Sequence, residues 1–103
     1  MINTNYLIGL VKILENPSKI FFNDRILFTR FRAQLPQSQN NQIINLICWD
    51  NLALNVNQYY QINDYVIIEG YLSSNSKIYS NELLKNSRKI EITVLKIYPF
   101  LIS

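Results

Sequence analysis

Phe28, Arg30 and Arg32 stand at alternate positions of one apolar-rich stretch, and Asn45, Ile47 and Trp49 at alternate positions of another. Side chains two residues apart share one face of a β-strand, so each stretch, if extended, gathers these groups on a single surface. Rings stack on the π-faces of bases and guanidinium groups hold phosphates, a combination suited to single-stranded nucleic acid. Tyr71 belongs to a third such stretch. Lys77, Tyr79 and Arg88 fall in a polar, basic region with Lys85 and Lys89. An aromatic among loop cations has little core to join, and a base is its natural partner.

Catalytic chemistry has little to work with. There is no His, and the single Cys48 lies in the apolar run Ile47-Cys48-Trp49. No paired carboxylates, Gly-rich phosphate loop or metal-ligand spacing is present, and Gly9 and Gly70 are the only glycines. The expectation is a binding protein with no enzymatic activity, no cofactor and no metal. One cysteine permits no intrachain disulfide, which points to a reducing compartment. No apolar run approaches the length a bilayer needs, so no membrane partner is expected.

The elements that must position these residues follow from length and pattern. The chain has 103 residues, 49% of them hydrophobic and 17% charged, with a formal net charge of +3. That fits a single folded domain over residues 1–103. Residues 3–14 read as a first strand, with Gly9 marking a bend or a close backbone approach. Glu15 to Ser18 is turn chemistry. Phe21 to Ala33 contains a second strand, best defined from Ile26, and the polar run to Gln42 is a loop. Ile43–Trp49 is a third strand. Asp50 then suits a helix N-cap, with Leu52, Val56 and Tyr59 as the packed stripe of a short helix. Tyr65–Leu72 and Ile90–Tyr98 complete five strands. The expected fold is all-β, a five-stranded Greek-key barrel of the OB type with its helix between strands three and four.

Alternation assigns the faces. Ile44, Leu46 and Cys48, together with Val66, Ile68, Gly70 and Leu72, form all-apolar sets suited to the barrel interior. Phe28, Arg30, Arg32, Asn45, Trp49 and Tyr71 then lie outside. Plainer roles exist for each: Trp49 suits a core or a subunit interface, the arginines keep an exposed strand soluble, and Tyr65 and Tyr71 suit packing.

Several segments together resemble the bacterial-type single-stranded-DNA-binding proteins, including the small, divergent versions encoded in algal plastids. Asn3 with Leu7-Ile8-Gly9 is similar to that family's opening strand, and Pro17 to its following turn. Trp49-Asp50-Asn51-Leu52-Ala53, Gln61 to Leu72 and Ile90-Glu91-Ile92-Thr93-Val94 resemble its later segments. The resemblance implies single-stranded-DNA binding in replication, repair and recombination. It also implies a homodimer or homotetramer built by pairing first strands, and residence in a plastid or a bacterial cytoplasm. By position Trp49 matches a base-stacking aromatic, while Ile43 occupies the place of another and Asn45 that of a basic residue. The sequence stops just after the last strand without an acidic tail, so tail-mediated recruitment of other proteins is not expected. Rival readings are a primosome-type or RNA-binding OB protein, and an interaction subunit that has lost DNA binding.

Overall fold

The computed structural model describes residues 5–36, 42–73 and 90–101. Its strands are β1 (Tyr6–Ile13), β2 (Phe21–Asn23), β3 (Ile26–Gln34), β4 (Ile43–Trp49), β5 (Tyr65–Leu72) and β6 (Glu91–Pro99), with α1 (Asp50–Tyr59) between β4 and β5. They hydrogen-bond in the order β1-β5-β6-β4-β3-β2, and β1 also pairs with β3, which closes the sheet on itself. All pairings are antiparallel except β4 with β6. This is the expected OB barrel. The second strand is divided: β2 and β3 form a hairpin whose loop is Asp24-Arg25, with Asp24 in the left-handed region at φ 58°. Asp tolerates that conformation better than most residues.

The interior is filled from every barrel strand. Val11, Ile13, Phe31, Ala33, Ile44, Leu46, Cys48, Val66, Ile68, Ile92 and Val94 make one buried cluster, joined by Ala53 and Val56 of α1. Burial pushes the Cys48 thiol up to about 12, because the thiolate would lose its hydration there. Thr29 is the polar exception on an inward face; its hydroxyl donates to the Lys19 carbonyl at 2.7 Å, as a buried polar group requires.

Three local expectations are corrected. Asp50 is not the helix N-cap: Trp49 takes that place in extended conformation (φ −112°, ψ 149°), without a side-chain cap, and Asp50 is the first helical residue at φ 53°. The strand passes directly into the helix, and the left-handed Asp50 makes the change of direction. The packed stripe also differs. Ala53 and Val56 are buried while Tyr59 is 65% exposed, because the barrel receives the helix on a face rotated away from Tyr59. Gly9 meets no close approach, since a Cβ there would have nothing within 4 Å.

Gly70 is where the absent side chain matters. The β5–β6 register shifts between Glu69 and Gly70, and a Cβ on Gly70 would overlap the Thr93 carbonyl oxygen. Outside the barrel, Glu69 accepts hydrogen bonds from the Tyr6 and Tyr98 hydroxyls, tying β1 and β6 to β5. The Tyr6 bond is the main cause that lowers the Glu69 pKa. Its stabilising contribution is therefore present above the ordinary carboxylate range and lost as pH falls through the lowered value.

Gly70→Ala is expected to destabilise the fold by about 1–3 kcal/mol in urea unfolding, because backbone must shift to admit the methyl group. Gly9→Ala is expected to change stability by less than about 1 kcal/mol. Equal effects at the two sites would contradict the assignment of the close approach to Gly70.

Candidate nucleic-acid interface

The core-facing set on β4 places its alternate residues on the outside, and the register aligns them with β3. Trp49 lies opposite Phe28, Ile47 opposite Arg30, and Asn45 opposite Arg32. Phe21 of β2 lies opposite Phe28 on the other side. The result is a ladder of rings across three strands. Phe21 and Phe28 stack with centroids 5.4 Å apart at 25°, and Phe28 and Trp49 lie 4.9 Å apart at 41°. A base slipped between two rings would need about 7 Å, two stacking rises, so only the open side of this ladder offers room for stacking. Phe21 is 43% and Trp49 37% exposed, large apolar surface left to solvent where a core role would have buried it.

Arg30 borders the rings, its guanidinium carbon 5.6 Å from the Phe28 centroid. Its Nε donates to Glu91 Oε2 at 2.8 Å. Glu91 is on β6, beyond β4, so the arginine reaches across two strand spacings, about 10 Å. It passes beside Ile47, which is on the outer set yet only 4% exposed. Arg32 is similarly engaged: its Nε lies 3.1 Å from Glu15 Oε2, and its backbone N–H donates to Glu15 Oε1 at 2.9 Å. Both arginines are about half exposed in these pairs.

Of the residues singled out from sequence, Phe28, Trp49 and Arg30 come together directly. Arg32 and Asn45 occupy the next row, beside Glu91. Tyr71 is in register with Thr93, which is in register with Ile47. It therefore shares the outer face three strands from β3, half-buried and apart from the ladder. Lys77, Tyr79 and Arg88 lie outside the described residues. Sequence reasoning missed Phe21 as a site residue, although Asn23-Asp24 is hairpin-turn chemistry that would have made 21–23 a separate strand facing β3. It also missed Glu15 and Glu91 as partners of the arginines. No cluster of three or more His, Cys, Asp or Glu suited to a metal occurs among the described residues.

The Arg30–Glu91 pair is expected to contribute no more than about 1 kcal/mol, as partly exposed ion pairs do. A double-mutant cycle with Arg30→Ala and Glu91→Ala, read by chemical denaturation, should show that small coupling and lose it in high salt. A coupling above about 2 kcal/mol would make the pair a structural clamp rather than one that can yield to another anion.

No protein-family model matches the chain. It is 41% identical over 102 residues to the ycf41 protein of Trieres chinensis, whose name associates it with single-stranded DNA binding; the match covers 95% of this chain and 90% of that one. Among solved structures, the SSB domain of a Synechococcus sp. protein superposes with a TM-score of 0.74 at 19% identity, over 95% of this chain and 98% of that one. A small single-stranded DNA-binding protein from Streptomyces coelicolor superposes with a TM-score of 0.75 at 13% identity, over 98% and 96%.

Proposed function

This chain belongs to the ycf41 family, and from that premise we propose that it binds single-stranded DNA without strict sequence preference. The observation that carries the proposal is the ladder of Phe21, Phe28 and Trp49, exposed at both end rings and bordered by Arg30. Every base has a π-face, so such a ladder accepts any sequence, and each stacked base contributes about 1–3 kcal/mol. Arg30 and Arg32 then exchange their glutamate partners for phosphates, while Asn45 and Tyr71 extend the surface across β4 and β5. Lys77, Tyr79 and Arg88 belong to the same proposal through their types and spacing. The protein acts by holding and protecting the strand during replication, repair and recombination, and transforms nothing. The family resemblance carries the further expectation that it works in an algal plastid.

The protein is also proposed to assemble as a homo-oligomer through β1. Strand β1 pairs with β5 along Tyr6–Lys12 but with β3 only at Lys12 and Ile13. Among the described residues no strand pairs with its remaining edge, which could take a strand from a second copy, and Ile8 beside it is 64% exposed. Ile8→Lys is expected to reduce the mass seen by light scattering to that of a monomer; a monomeric unsubstituted protein would contradict this assembly.

Fluorescence anisotropy of labelled oligo-dT tests the DNA reading. Trp49→Ala should weaken binding by about 1–3 kcal/mol, roughly 5- to 150-fold, with the barrel still folding cooperatively. Unchanged affinity in that variant refutes the ladder as the platform.

A further inference from the structure

Beside the ladder, the segment joining β1 to β2 is held at several points. The Asn57 side-chain amide donates to the Pro17 carbonyl at 3.0 Å, and the Ile62 N–H donates to the Asn16 side-chain oxygen at 2.7 Å. The Thr29 hydroxyl holds the Lys19 carbonyl, and Pro17 itself is fully buried. The outer side of this braced segment opens into a groove of about 430 Å3, lined by Glu15, Asn16, Ser18, Lys19, Phe21 and Arg30. Two of these residues are shared with the interface: Phe21 is the last ring of the ladder, and Arg30 borders both. Glu15, the one carboxylate in the lining, is already paired with Arg32.

We propose that this groove seats one nucleotide of the bound strand at the end of the ladder, with the base against Phe21 and its phosphate on Lys19. The volume lies within the range of small-ligand sites. The lining supplies one ring for a base, one exposed ammonium for a phosphate, and the Ser18 hydroxyl and Asn16 amide for hydrogen bonds. Continuity decides the occupant. A strand lying over Trp49, Phe28 and Phe21 leaves the sheet at β2, and this braced groove is the next surface it meets. Holding the segment before binding reduces the ordering cost that a loop site would otherwise incur. The proposal rests on the DNA reading above.

Anisotropy titrations of labelled oligo-dT in a series of lengths, each at several salt concentrations, test it. The proteins compared are the unsubstituted chain, Lys19→Gln, Phe21→Ala and, as an equal charge change on exposed β6, Lys96→Gln. Lys19→Gln should reduce the slope of log affinity against log salt by about 0.7, one phosphate of a single strand, and Lys96→Gln should leave it unchanged. Phe21→Ala should weaken binding of long oligomers at least about fivefold. Both groove variants should reach their affinity plateau about one nucleotide earlier than the unsubstituted chain, as expected if a seat has been removed from the site. If the unsubstituted chain binds but both lysine variants alter the slope alike, or the plateau length does not move, the groove is no seat. Absence of binding by the unsubstituted chain overturns the DNA reading and the groove with it.

Discussion

The structure depends on the filling of a narrow barrel by alternate residues of β4. This strand lies between β3 and β6, and Ile44, Leu46 and Cys48 are all but fully buried. Side chains alternate faces along a regular strand such as β4, so a slip of one residue would bring Asn45 and Trp49 into the core and expose three apolar groups. That cost fixes the register. The register with β3 then leaves no choice about what stands outside: Trp49 beside Phe28, Ile47 beside Arg30, Asn45 beside Arg32. The candidate interface is thus the complement of the core, and its order is set by packing on the other side of the same strands.

Charge on this face is more balanced than a net +3 suggests. Arg30 and Arg32 are each already matched to a glutamate. In the proposed complex a phosphate would replace one anionic partner with another, and the gain would be smaller than a free arginine would provide. Stacking would then carry correspondingly more of the affinity, and it is the term least sensitive to salt. The pairs also hold both long side chains over the sheet before any strand arrives, which lessens the entropy lost when they engage it.

Much of this was legible in the sequence because its signals are local. Alternation in Ile43–Trp49 and Tyr65–Leu72 located both strands to the residue and sorted most of their faces; Leu72, expected inside, is 37% exposed at the strand's end, and Ile47 of the outer set is nearly buried. What escaped was set by partners distant in the chain. Arg30 meets Glu91 and Arg32 meets Glu15 only once β3 is placed beside its neighbours, and no spacing rule links 30 with 91. Phe21 was absorbed into the following strand because two apolar stretches merge when the hairpin between them is short. Asp50 resembled an N-cap because Asp favours that place, but a strand running straight into a helix needed a left-handed residue more than a cap. Gly9 and Gly70 looked alike as strand glycines. Only the shift in the β5–β6 register, invisible in one strand read alone, shows that Gly70 is the one crowded by a neighbour.

Bases are proposed to stack on a ring ladder that ends in the chain's single tryptophan. Titrating the intrinsic fluorescence of that tryptophan with oligo-dT, at low and at moderate salt, reads the contact itself. Saturable quenching whose midpoint rises with salt is the predicted result, since stacking on Trp49 and phosphate contacts nearby act together. Oligo-dT binding with undiminished Trp49 emission would contradict it, showing that the strand lies elsewhere on the barrel.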